Sequence, residues 1–226
     1  MKSPYREKFI VFEGIDGSGK STQTKLLADR LKKKGLRTTS LEFPQYGEKS
    51  AGLVEEYLSG KYGNAKEVGP YAASIFYAVD RYDLSFQIRE LLKNGHIIVS
   101  DRYVASNMGH QGAKITVPRK RKEFFKWLYD IEYGIFQIPK PTISFFLHVP
   151  ATIAKKLCEN KERRKKKRSD IHEKDLTHLQ NAEKAYIHAS QIFPKDFLAV
   201  DCIENEHMLS PLAIHEKIWT KVQKFL

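Results

Sequence analysis

Apolar and polar positions alternate between two rhythms along this chain. Phe9-Ile10-Val11-Phe12 is an unbroken apolar run, the pattern of a strand covered on both faces. From Thr22 to Lys34 the apolar residues Leu26, Leu27 and Leu31 recur with helical spacing, and Gly35 supplies a stop. Thr38 to Phe43 reads as a second strand, Pro70 to Lys93 as a long helix closed by Asn94-Gly95, and His96 to Ser100 as a third strand. Arg119 to about Phe136 is helical. Pro139-Lys140-Pro141 is a rigid connector into a fourth strand, Thr142 to Val149. Asp170 to about Gln191 reads as helix and Phe197 to Val200 as a fifth strand, and Ser210-Pro211 supplies the N-cap and first-turn proline of a last helix. Strands that are apolar throughout and alternate with helices predict an α/β fold. Its core is a five-stranded parallel sheet with helices on both faces, a three-layer arrangement whose ligands bind at the carboxyl ends of the strands.

The long helix carries two apolar stripes. Ile75, Val79, Tyr82 and Phe86 mark one face, and Tyr77, Arg81, Leu84, Ile88 and Leu91 mark another. One stripe faces the sheet; the other faces a neighbouring helix or a second subunit. Arg81 interrupts a stripe that should be buried, and a buried cation needs a partner. The helix starts near the ligand end of the sheet, so Tyr77 can offer a face to a base and Arg81 can donate to a base oxygen. The competing assignment pairs Arg81 with a local acid, Asp80 or Asp83.

Length and composition narrow the class. The 226 residues suit one domain, and 41% hydrophobic residues is the proportion of a folded globular protein rather than a disordered one. No apolar run approaches the roughly 20 residues that span a bilayer. Met1 to Lys8 is charged and leads into no apolar leader core, and Cys158 and Cys202 stand in unrelated contexts. Neither a disulfide framework nor a zinc site is indicated, and a reducing cytoplasm is the expected setting. The histidines lack metal-binding spacing; His172, His178 and His188 lie on the helix expected after residue 170. Lys and Arg number 39 against 27 Asp and Glu, a net charge of +12 that favours anionic partners. Two basic segments stand out: Arg119-Lys120-Arg121-Lys122, and the run Lys161, Arg163, Arg164, Lys165, Lys166, Lys167 and Arg168.

The densest chemistry lies just after the first strand. Gly14-Ile15-Asp16-Gly17-Ser18-Gly19-Lys20-Ser21 is G-x-x-x-x-G-K-S, a phosphate-binding loop, and Thr22 continues it into the helix. Glycines let successive backbone N–H groups turn inward onto a polyphosphate. Lys20 adds a mobile positive charge for the β and γ phosphates, and the Ser21 hydroxyl is placed to ligate Mg²⁺. Strand, loop and helix occur in the order that this chemistry requires. At the end of the third strand, Asp101 is positioned to hold the metal directly or through water, and Arg102 to fork onto a phosphate.

Taken together, these residues resemble the thymidylate kinases, a branch of the nucleoside monophosphate kinases with a P-loop kinase fold. The matching segments are Phe12 to Gln23, Phe43-Pro44, Tyr77-Ala78-Val79-Asp80-Arg81, Asp101-Arg102-Tyr103 with Ser106, and Pro139-Lys140-Pro141. The resemblance implies ATP and dTMP as substrates, Mg²⁺ as cofactor and a homodimer built through long helices. It also implies roles: Asp16 on the deoxyribose 3′-hydroxyl, Arg102 on the acceptor phosphate, Tyr77 stacked on thymine with Arg81 at its O4 edge, and Ser106 and Gln111 close to the base. His110 falls where the family places an aromatic residue against C2′. A basic lid of about 158–172 follows. Gly17 brings no cation into the loop, so the lid should supply a catalytic arginine, with Arg163, Arg164 and Arg168 as candidates.

This chain departs from the family pattern in having no cation between Arg37 and Lys49, His110 in the aromatic position, and a lid unusually dense in lysine. Two other readings compete. A deoxynucleoside kinase needs a carboxylate base near the end of the second strand, where Glu42 stands. A nucleic-acid-binding protein would use the basic segments, which contain few interleaved aromatics. A third reading, another nucleoside monophosphate kinase, shares the loop but gives no reason for Asp16 together with Tyr77 and Arg81.

Overall fold

The computed structural model describes residues 8–165, 176–224 and 226. Among them, five strands form one parallel sheet in the order β2-β3-β1-β4-β5. These are β1 (Lys8–Glu13), β2 (Thr38–Glu42), β3 (Ile97–Asp101), β4 (Ile143–His148) and β5 (Phe197–Asp201). β3 is buried along its whole length and β1 from Phe9 onward, as strands covered on both faces must be. The edge strand β2 is mostly half-exposed.

Helices wrap the sheet. α1 (Lys20–Lys33) packs across β1, β2 and β3 and against α8 (Pro211–Val222), whose N-cap Ser210 accepts from Ala213 N. α3 (Ala65–Lys93) packs on β3, while α7 (Leu176–Ile192) packs on β4, β5 and α4 (Val104–His110). α3 is broken at Gly69, where φ is +70°, so its regular part begins at Pro70 as its pattern predicts. Asn64 and Glu67 form a capping box for the short preceding turn. The start of the helix expected from Asp170 lies outside the described residues.

Five elements carry too weak a pattern to be read from sequence. α2 (Gly52–Leu58) and α4 are single short helices, and α6 (Ala151–Lys165) is dominated by Lys, Arg and Glu. A two-residue hairpin, β6 (Ile203–Glu204) with β7 (His207–Met208), closes the turn before α8. The helix expected over Arg119 to Phe136 is α5 (Pro118–Tyr129) followed by a π-helical turn, Asp130–Ile135. That turn directs Glu132 inward, where it is completely buried. No described helix is long and apolar enough to cross a membrane.

At the carboxyl end of β4, His148 binds Asp201 of β5 through Nδ1 at 3.0 Å and Glu183 of α7 through Nε2 at 3.2 Å. The other Glu183 oxygen accepts from Ala151 N, the first residue of α6. One carboxylate thus ties α7 to the base of α6, and it raises the His148 pKa together with Asp201 against the opposing effect of burial.

Candidate active site

The pairing of β1 with β3 decides where the site forms. Phe12 lies opposite Asp101, so the loop leaving β1 and the Asp101-Arg102 pair leaving β3 emerge side by side. Arg102 N donates to Phe12 O at 2.9 Å, and Arg102 takes a left-handed φ of +70°. That conformation is costly for a residue with a Cβ and is held here by the surrounding packing. The side chain is thereby sent over the loop, where Nη2 donates to Asp16 Oδ1 and Nη1 faces His110 Nε2 at 3.1 Å. Burial alone would raise the Asp16 pKa, but Arg102, His110 and Lys20 together hold this carboxyl far below the usual range. Burial opposes the charge on Arg102, and Asp16 more than restores it.

The loop folds as its spacing requires. Gly17 has a φ of +84°, and a Cβ there would collide with the Ala154 carbonyl oxygen on α6. The absence of a side chain at this position therefore does two things: it permits the turn and lets α6 dock on the loop. Lys20 is buried at the start of α1 and its Nζ donates to Ile15 O at 2.9 Å, with Asp16 Oδ1 at 4.0 Å. Burial, then the Arg102 charge, lower its pKa, while Asp16, Asp101 and Glu13 pull it back up. Ser18 is buried, whereas Ser21 and Thr22 are exposed on the first turn of α1. Gly14 and Gly19 also take positive φ, and Ile15 packs in the core.

The residues expected to hold a metal suit a hard cation. Asp101 is 7% exposed and its Oδ1 has no hydrogen-bond partner, an orphaned anionic oxygen at the carboxyl end of β3. Ser21 offers an exposed hydroxyl. No cluster of three or more His, Cys, Asp or Glu able to hold a metal occurs among the described residues. Sparse protein ligation suits Mg²⁺, which keeps waters and substrate phosphates as its other ligands.

Beneath Arg102 lies a network organised by a residue to which the motif assigns no role. Glu13, the last residue of β1, is fully buried. Its Oε1 accepts from Tyr103 N at 2.8 Å; its Oε2 accepts from Ser106 Oγ at 2.7 Å and from Tyr186 OH at 3.1 Å. Burial raises its pKa, while Ser106, Arg102, Tyr103 and Lys20 favour the charged form. The signal in the sequence is an acid ending an apolar strand, which cannot be buried without partners. Ser106 therefore belongs to this network, with Arg102 Nη1 also at 3.4 Å. Gly109 brings α4 so close to α7 that a Cβ there would overlap the Tyr186 ring.

Arg81 requires a correction. The alternative that pairs it with Asp80 or Asp83 does not describe the structure. Its guanidinium is 98% buried and forks onto Glu132, with Nε to Oε2 at 2.7 Å and Nη2 to Oε1 at 2.5 Å, while Nη1 donates to Tyr103 O at 3.4 Å. The partner lies 51 residues away on the π-helical turn. Asp80 instead secures the turn after β2, accepting from Gln45 N at 3.0 Å, Gln45 Nε2 at 3.1 Å and Ser50 Oγ at 2.7 Å. Asp83 is exposed.

Tyr77 is half-buried and meets the Tyr57 ring edge-on, with centroids 6.4 Å apart. Phe43 and Pro44 are buried, and the Phe43 ring packs against Tyr103 at 5.5 Å. Gln111 is buried beside Tyr57, its Oε1 without a hydrogen-bond partner. Asn107, to which the sequence reading gave no role, is buried and its Nδ2 donates to Ser74 O at 3.1 Å, tying α4 to α3.

Glu42 is exposed at the end of the edge strand. In the first basic segment, Arg121 is buried and donates to Gly112 O and Ile115 O, whereas Arg119 is paired on the surface with Glu123. Lys120 and Lys122 of the same segment are exposed. Arg163 and Arg164 fall on the last turn of α6; their side chains, Arg168 and residues 166–172 of the expected lid lie outside the described residues.

Comparison with known proteins gives a consistent picture. The thymidylate kinase family model matches residues 12–210. A thymidylate kinase of Afipia carboxidovorans is 32% identical over 222 residues, covering 97% of this chain and 90% of the relative. One from Mycobacterium tuberculosis is 30% identical over 179 residues, covering 78% and 83%. The solved thymidylate kinase of Candida albicans superposes with a TM-score of 0.73 at 22% identity, covering 97% of this chain and 92% of its own, a likeness of fold. With the phosphate loop, Asp101-Arg102 and the five-stranded sheet in one assembly, the chain belongs to the thymidylate kinase family.

Proposed function

We infer from family membership and site geometry together that this protein catalyses ATP-dependent phosphorylation of dTMP to dTDP. The observation that carries the residue-level reading is the meeting of Arg102 with Asp16 over the phosphate loop, with Lys20 beside them. A guanidinium at that point suits an acceptor that is itself a phosphate. Such an acceptor is already anionic near neutral pH, so no strong general base is needed.

We assign roles accordingly. The loop from Gly14 to Thr22 binds the ATP phosphates through its backbone N–H groups, and Lys20 swings from Ile15 O onto the β and γ phosphates. Asp101 and Ser21 would hold Mg²⁺, which when bound neutralises charge on the donor phosphates. Arg102 holds the acceptor phosphate in line, and Asp16 orients it while accepting from the sugar 3′-hydroxyl. Tyr77 stacks on the base near Gln111. Arg81 contributes by fixing Tyr103 and the α4 segment through Glu132. One or more of Arg163, Arg164 and Arg168 supplies the cation for the transferring group, because Gly17 leaves no room for one in the loop. Catalysis is positioning and charge neutralisation. The chain acts as one domain with residues 158–172 as its lid, works in the cytoplasm, and pairs as a homodimer through the exposed face of α3.

The test is a panel of nucleoside monophosphates and nucleosides with Mg-ATP, scored by ADP release. Turnover of dTMP without turnover of thymidine is expected. Phosphorylation of thymidine but not dTMP would assign the acceptor to the nucleoside class.

A further inference from the structure

His110 stands where the family resemblance puts an aromatic ring against the sugar, yet its nitrogens are engaged elsewhere. Nε2 lies 3.1 Å from Arg102 Nη1, and Nδ1 lies 3.5 Å from His178 Nε2 on α7. The two imidazoles stack with centroids 5.7 Å apart and planes at 23°, and Tyr186 meets His110 edge-on at 6.0 Å.

A guanidinium has only donors, so the nitrogen facing it must present a lone pair. That fixes the tautomer: Nε2 is bare and Nδ1 carries the hydrogen, aimed at His178 Nε2. Asp16 takes Arg102 Nη2 from one side, and His110 takes Nη1 from the other. The guanidinium is thus held by an anion and a neutral acceptor, and Ser106 Oγ lies 3.4 Å from the same Nη1.

We propose that His110 is a positioning residue for Arg102, its neutral imidazole fixing the guanidinium in the orientation that receives the acceptor phosphate. The proposal rests on the dTMP kinase reading and moves the contribution of His110 from sugar packing to phosphate binding. Its surroundings keep it neutral. Burial lowers its pKa well below the ordinary histidine value; Arg102 and Lys20 from the site and His178 from α7 push the same way, and Asp16 opposes them. The sign of the pH dependence follows. At neutral pH the acceptor lone pair is present. As pH falls through the depressed His110 pKa, both ring nitrogens become donors, the bond to Arg102 is lost and two cations face each other. Acceptor affinity therefore falls on the acid side only.

Two variants separate this role from a purely structural one. His110→Phe keeps a ring and removes the acceptor, whereas His110→Gln keeps an amide acceptor and removes the titration. Calorimetric binding of dTMP and of thymidine is measured for each at about pH 7.5 and over a descending pH series that passes well below the ordinary histidine value of about 6.5. The phosphate's own titration is common to all three proteins, so the difference between them isolates His110. The expected result is a dTMP affinity about tenfold or more weaker in His110→Phe, the scale of a lost hydrogen bond to a charged group, with thymidine binding unchanged. His110→Gln restores dTMP binding and loses less affinity at the acid pH than the wild type does. Equal weakening of thymidine and dTMP in His110→Phe would return the residue to sugar packing and overturn the proposal, as would dTMP binding undiminished in that variant. Wild-type turnover of dTMP, measured first, decides the underlying reading separately.

Discussion

The buried pair of Arg81 and Glu132 shows what a single residue can and cannot disclose. The sequence marks Arg81 as anomalous, a cation in a stripe that must be covered, and this is correct: the residue is 2% exposed. Its partner could not be named, because the turn that directs Glu132 inward is π-helical and periodicity does not distinguish it from the end of a helix. Removing one member of such a pair leaves an uncompensated buried charge. Glu132→Ala should therefore destabilise the protein by about 3–5 kcal/mol, measured by urea denaturation, and Arg81→Met with Glu132→Leu together should recover much of that loss. A loss below about 1 kcal/mol in the single variant would mean that the pair is solvated or replaceable. Local motifs were more legible. The loop from Gly14 to Ser21 and the pair Asp101-Arg102 are each contiguous, and the parallel register of β1 and β3 brings them together without any long-range choice of partner. Glu13 was readable in principle, since an acid closing an apolar strand has to be satisfied; its three donors come from distant segments and could not be.

At the scale of elements, strands and long helices follow their periodicity, and short charged helices do not. The three inner strands β1, β3 and β4 fall where their apolar runs predict them, because burial on both faces leaves almost no polar position to blur the signal. α6 is missed because its sequence is mostly charged and its contact with the loop runs through Ala154 and Cys158. α3 is the most informative element. The stripe of Tyr77, Arg81, Leu84, Ile88 and Leu91 faces inward, with Arg81 and Ile88 fully covered. The other stripe stays open: Val79, Tyr82 and Phe86 are 37, 40 and 60% exposed, and Ile135 beside them is 69% exposed. This exposed apolar stripe is the surface proposed above for pairing of two copies. Phe86→Asp should convert the proposed homodimer to monomer in sedimentation velocity while leaving the melting curve of the monomer fold cooperative. A wild-type protein that sediments as a monomer at micromolar concentration would contradict the assignment.

Across the whole molecule, the sheet order positions the site more than any one side chain does. With β3 and β4 flanking β1, the loop after β1 lies at the centre of the carboxyl edge, and the segments following its neighbours converge on it. Asp16, Lys20, Asp101 and Arg102 meet there, and α4 and α7 close the acceptor side through His110 and Tyr186. Arg121 braces a turn, Arg102 and Lys20 are committed to the site, and Arg119 is neutralised on the surface. The central claim is that the phosphate loop and the guanidinium beside it gather two anionic nucleotides for transfer between them. The most direct measurement is kcat/KM for dTMP with Mg-ATP in Lys20→Ala and Arg102→Ala, each checked for an unchanged fold by circular dichroism. Both variants should lose several orders of magnitude, on the scale of lost phosphate clamps. Near-normal turnover in either would contradict the assignment.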